Sequence, residues 1–100
     1  MNFGTENIEF KSGFTEEIYK EVIAFANTDG GVLYIGIDNN GNAVGLGNID
    51  DEYTRITNRI RGAILPDVTT FVKYIIQENK VVRITISGGT NKPFICAQKG

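Results

Sequence analysis

Glu9 and Asp38 are the residues whose type and placement come nearest to a chemistry. Glu9 lies in the short alternating run Asn7 to Lys11, and Asp38 directly follows the apolar run Val32 to Ile37. Each therefore falls on or beside an expected strand. If those strands are neighbours, two hard carboxylates face one Mg²⁺ or Mn²⁺, the metals that such oxygens favour. Two ligands hold a metal weakly, and both residues have ordinary structural uses. Glu9 can pair with Lys11 or an arginine, and Asp38 is a natural residue to open the turn through Asn40-Gly41. Other chemistries are closed off by composition. The chain has no histidine and a single cysteine, Cys96, which leaves no thiolate- or imidazole-held zinc site and no Ser-His or Cys-His nucleophile pair. One cysteine forms no intramolecular disulfide, which fits a reducing compartment and gives the cytoplasm as the expected location.

The basic residues supply a second kind of candidate. Arg55 and Arg59 lie four apart and share one side of an expected helix. Lys11, Lys73 and Arg83 fall on expected strands opposite apolar neighbours, and would form a stripe on the exposed face of a sheet. Such a stripe can hold phosphates without reading base sequence. The formal charge of −2 weighs against a nucleic-acid partner, because phosphate binding favours basic domains. A local basic face on an acidic domain answers that objection. Tyr34 and Tyr74 could stack on bases if exposed, although their apolar surroundings favour the core. Gly45-Leu46-Gly47 looks superficially like a phosphate loop but lacks the third glycine and the Gly-Lys-Ser/Thr element.

These residues must be positioned by a small fold. At 100 residues with 41% hydrophobic content, the chain supports one core and no second domain. Its apolar runs are strand-length, far from the roughly 20 residues of a membrane helix, and the N-terminus lacks a secretory signal. Asn7 to Lys11 reads as a first strand, with Ile8 and Phe10 on one face and Glu9 and Lys11 on the other. Thr15 is the expected cap of a helix with an apolar stripe of Ile18, Val22, Phe25 and Ala26. Asn27 to Gly31 ends that helix. Val32 to Ile37 follows as a strand expected to be buried on both faces. Asn40-Gly41 signals a hairpin with a return strand, Ala43 to Leu46. Asp50 or Asp51 caps a second helix with Tyr53, Ile56, Ile60 and Ile64 inside, ended by Pro66. Phe71 to Gln77, Val81 to Ser87 and Phe94 to Ala97 complete the strands, with Gly88 and Gly89 as a break. The expected class is α+β, a two-layer mixed sheet with two main helices in the order β-α-β-β-α-β-β-β.

Three segments resemble the AlbA-type domain of Schlafen proteins, a DNA-binding domain family of many bacterial and archaeal proteins. The first is Ile8-Glu9-Phe10-Lys11. The second is Ala24-Phe25-Ala26-Asn27-Thr28-Asp29-Gly30-Gly31, running into Leu33-Tyr34-Ile35-Gly36-Ile37-Asp38. The third comprises Asn40-Gly41, Val44-Gly45, Ile64, Pro66 and Lys92-Pro93-Phe94. The resemblance covers almost the whole chain in the right order. Similar domains continue beyond the Pro93-Phe94 position into a strand with an arginine and a glycine. The expectation is therefore a single domain over 1–100, forming the N-terminal part of a longer protein.

The resemblance implies a module of a prokaryotic transcriptional-regulator-like protein, binding nucleic acid, with DNA ahead of RNA, and carrying out no catalysis. Its expected phosphate contacts are Lys11, Arg55, Arg59 and Lys73, with no metal or cofactor and no membrane. Two alternatives stand beside it. Some Schlafen proteins are ribonucleases that use three acids with Mg²⁺ or Mn²⁺. Two of these correspond to Glu9 and Asp38, while the third falls where this chain has Gly4, with Glu6 nearby but out of register. The other alternative is a protein-interaction module or homodimer, paired through an exposed edge strand near the C-terminus.

Overall fold

The computed structural model describes residues 7–88 and 93–97. The elements run β1 (Ile8–Lys11), α1 (Glu17–Ala26), β2 (Gly30–Ile35), α2 (Ile49–Ala63), β3 (Ile64–Leu65), a 3-10 turn (Thr69–Phe71), β4 (Val72–Gln77), β5 (Val81–Ser87) and β6 (Ile95–Cys96). Four strands form one mixed sheet in the order β1-β2-β5-β4, and β3 pairs with β6 in a second, small sheet. β1 runs parallel to β2, and the other two pairs are antiparallel. The α+β class, the mixed sheet and the two helices are as expected.

Both helices cover one side of the four-stranded sheet. Ile18, Val22 and Ala26 of α1 and Ile56 and Ile60 of α2 meet Leu33, Ile35, Val82, Ile84 and Ile86 in one apolar core. The helical stripes account for this directly, since residues three and four apart lie on one side. α2 is begun by Asn48, whose side chain accepts the Asp51 N–H at 3.3 Å, not by Asp50 or Asp51. Those two acids and Glu52 occupy the first turn instead, where the helix dipole favours them. α1 starts after Glu16 with no side-chain cap, so Thr15 contributes only its carbonyl, to the Ile18 N–H.

Two further expectations are corrected. Ala43 to Leu46 is not a strand. Ala43 makes a single bridge with Ile37, and Gly36 O then accepts both the Val44 and Gly45 N–H groups, which turns the chain inward to bury Leu46. The strand that the sequence does not announce is β3, immediately after α2. Nor is β2 buried on both faces: Leu33 and Ile35 are buried, whereas Val32 and Tyr34 are only half-buried. Gly89 and Lys92 lie outside the described residues.

The Asn27–Gly31 turn packs tightly. Gly30 has φ +88°, and a Cβ there would sit 2.5 Å from Ile86 O; a Cβ on Gly31 would sit 2.7 Å from the Phe25 ring and from Asn7 O. Glycine is required at both positions because the strand passes too close to its neighbours for any side chain. Asn27 does something the turn alone does not explain. Its side-chain amide donates to Phe94 O at 3.0 Å, and its Oδ1 accepts from Phe94 N–H at 2.8 Å. The end of α1 is thereby tied to the chain entering β6, with the Phe94 ring buried against Phe71.

Candidate nucleic-acid interface

The side of the sheet away from the helices is only partly covered among the described residues: Val81, at one end of β5, is buried there, while Ile8, Phe10, Lys73 and Ile75 are exposed. Strand register sets what it displays. One row runs Phe10, Tyr34, Arg83, Ile75, and the adjacent row runs Ile8, Val32, Thr85, Lys73. Ile8, Phe10 and Ile75 are 39%, 36% and 44% exposed, high values for large apolar side chains in strands. The Phe10 and Tyr34 rings meet edge to face with centroids 5.7 Å apart. Lys73 is exposed beside them. Arg83, between Tyr34 and Ile75, is half-buried, and its Nε is buried without a hydrogen-bond partner among the described residues. None of the described strand positions on this face is a carboxylate.

The expected basic residues do not come together. Lys73 and Arg83 share the open face. Lys11 does not: its register partner is the buried Ile35, so it points to the helix side. There its Nζ lies 3.6 Å from Glu17 and 3.8 Å from Glu21, two acids one turn apart on α1. The expected stripe of Lys11, Lys73 and Arg83 is therefore split across the sheet. Arg55 and Arg59 are exposed on α2, the layer on the opposite side of the sheet from Lys73.

Glu9 is opposite Leu33 on the same side as Lys11, half-buried. Asp38 lies past the end of β2, and its Oδ1 accepts the N–H groups of Asn40 and Asn42, both at 2.9 Å. Its carboxylate thus organises the turn. Among the described residues, no three acids, cysteines or histidines gather as a metal site would require. Gly4 and Glu6 lie outside the described residues. The Gly45-Leu46-Gly47 segment offers no phosphate cradle, since the Gly45 and Leu46 N–H groups are bonded to Gly36 O and Lys80 O.

The two tyrosines fall on opposite sides. Tyr74 shares a row with Glu9, Leu33 and Ile84 on the helix side, where it packs edge to face with Tyr53. Burial there pushes its phenol up to about 12, with the Tyr53 phenol acting in the same direction and Arg61 opposing it. Asp67, by contrast, is held below the usual carboxylate range by the hydroxyl and N–H of Thr69. Phe10 was missed as a surface residue because alternation alone puts it with Ile8 as an inner pair. The signal for the opposite assignment is the Lys11, Glu17, Glu21 set, which pairs only if Lys11 faces α1. On the small sheet, the cross-strand partners Leu65 and Ile95 are both exposed.

The family described as Schlafen, AlbA_2 matches residues 5–100. This chain belongs to that family. Within this Schlafen AlbA_2 domain the Asn27–Phe94 clamp joins the Ala24–Gly31 segment to the Pro93-Phe94 segment. Among solved structures, the fold is similar to the N-terminal domain of a protein from Nitrosomonas europaea named as related to the ATP-dependent DNA helicase RecG. The TM-score is 0.68 at 19% identity, covering 100% of this chain and 75% of that one. No curated protein matches the chain. Among the described residues, no helix is long and apolar enough to cross a membrane.

Proposed function

We propose that this Schlafen AlbA_2 domain is the DNA-binding module of a longer, transcriptional-regulator-like protein in the cytoplasm, holding phosphates without catalysing a reaction. The observation that carries this reading is the segregation of charge on the sheet. A domain of net charge −2 places the exposed Lys73 and the half-buried Arg83 on the face away from the helices, whose described strand positions include no acid. The family and the DNA-helicase-related name of the structural neighbour support DNA as the partner. Lys11 contributes little, because Glu17 and Glu21 already offset its charge.

Fluorescence anisotropy with labelled DNA over a range of salt tests the reading. Two phosphate contacts give a log–log salt slope of about −1.4 on a single strand or about −1.8 on a duplex. Lys73→Glu is expected to weaken binding and bring the slope down by roughly one contact. Binding that ignores both salt and Lys73→Glu overturns it. Reversing charge at Arg55 and Arg59 together is expected to change affinity by less than about two-fold; a loss of ten-fold or more relocates the contact surface to α2. A Mn²⁺ arm with a gel readout covers the nuclease alternative, in which cleavage lost in Glu9→Gln and Asp38→Asn would assign those acids to it.

A second reading rests on the exposed Leu65–Ile95 pair, which suits a protein partner or a second copy of the chain. Concentration-dependent mass in sedimentation, abolished by Ile95→Lys, would support it.

A further inference from the structure

We infer that the open sheet face binds single-stranded DNA, stacking bases on the Phe10–Tyr34 pair while Arg83 and Lys73 hold the adjoining phosphates. The inference rests on the nucleic-acid reading above and adds the strandedness and the mode of contact. Phe10 and Tyr34 are register partners on neighbouring strands, with Arg83 on the next strand and Ile75 beyond it. Three strand spacings separate Phe10 from Ile75, about 14 Å. That width accommodates two or three bases, as on other four-stranded sheets that bind nucleic acid through aromatic residues.

The chemistry of the face selects its occupant. Ile8, Phe10 and Ile75 stand exposed there with Lys73 and the half-buried Arg83, no described strand position on the face is a carboxylate, and the buried Arg83 Nε lacks an acceptor among the described residues. The complementary ligand is flat and apolar in one part and anionic in the next, which describes a nucleotide chain with its bases turned out. A duplex hides the base faces in its own stack and offers only phosphates and groove edges. Only a single strand uses the rings and the cations together. The edge-to-face contact takes up one ring's edge and one face of the other, so it does not exhaust the ring faces open to a base.

The test titrates labelled oligo-dT, oligo-U and a duplex of equal length into the full chain and its variants. Oligo-dT is expected to bind at least about ten-fold tighter than duplex, and Phe10→Leu and Tyr34→Leu to weaken it by roughly five- to a hundred-fold each. Leucine keeps the apolar volume, and Phe10→Tyr is expected to restore affinity, which separates stacking from folding. The chain has no tryptophan, so Phe10→Trp places a single indole whose emission is expected to be quenched by oligo-dT. Duplex bound as tightly as oligo-dT, with Phe10→Leu silent and Lys73→Glu still damaging, overturns the stacking inference and leaves the phosphate reading standing. Preference for oligo-U overturns DNA as the occupant. Absence of binding to all three probes by the folded chain overturns both readings.

Discussion

The two sides of the four-stranded sheet use similar residues to opposite ends. On the helix side, Leu33, Ile35, Val82, Ile84 and Ile86 are sealed by α1 and α2. On the other, Ile8, Phe10 and Ile75 are left in contact with water, beside Lys73 and Arg83. Burial rewards apolar area wherever it occurs, so uncovered isoleucine and phenylalanine forgo stabilisation that the covered side collects. Stability is therefore set mainly on the covered side of the sheet, which leaves the other side available to the proposed recognition.

The largest expected effect sets the sides against each other. Ile84→Ala empties a fully buried site and is expected to cost about 3 kcal/mol, whereas Ile75→Ala should cost less than about 1 kcal/mol. Urea unfolding of both variants measures the contrast, and on a domain of this size the first corresponds to a Tm lower by roughly 15 °C. Equal losses would mean that the open face is covered in solution. The clamp comes next. Asn27→Ala removes two hydrogen bonds to Phe94 and leaves that residue's backbone groups unpaired, for an expected loss of about 2 kcal/mol. Thermal melts of Asn27→Ala and Asn27→Asp would show it, with the aspartate variant able to accept from Phe94 N–H but not to donate to its carbonyl.

A smaller effect is read by pH at Tyr74. In the unfolded chain Tyr74 loses its proton near the ordinary phenol value of about 10, while the folded domain keeps it until about 12. The folded state therefore binds more protons between these values. The contribution is complete below pH 10 and lost as pH rises through 12. Chemical denaturation between pH 9 and pH 12 is expected to show the fall, with a shallower one in Tyr74→Phe than in the parent. The smallest effect is on the stability of Phe10→Leu, expected within about 0.5 kcal/mol of the parent, although the same variant is expected to bind oligo-dT poorly.

Much of this architecture is legible in the residues, for identifiable reasons. Ile18, Val22 and Ala26, and Ile56 and Ile60, recur at helical spacing, and a stripe of that kind has one stable use. Val81 to Ser87 is a β-branched run that coincides with β5. The return strand at Ala43 was misread because the turn chemistry of Asn40-Gly41 is real, while the two carbonyl contacts of Gly36 that divert the chain are non-local. β3 has two residues and no pattern to show. The candidate site was less legible, and the cause is parity. Alternation tells which residues of β1 share a face but not which face is covered. Pairing of Glu9 with Leu33 and of Lys11 with Ile35 decides that, and it moves Lys11 inward and Phe10 outward. Arg55 and Arg59 were read correctly as neighbours on a helix, but nothing in their spacing says which side of the molecule that helix occupies.

The most direct test of the open face as the recognition surface is an amide chemical-shift titration of the ¹⁵N-labelled domain with oligo-dT. Recognition by this face predicts shifts concentrated at Phe10, Tyr34, Lys73, Ile75 and Arg83, with Arg55 and Arg59 unmoved. Shifts gathered on α2, or on Leu65 and Ile95, would contradict it.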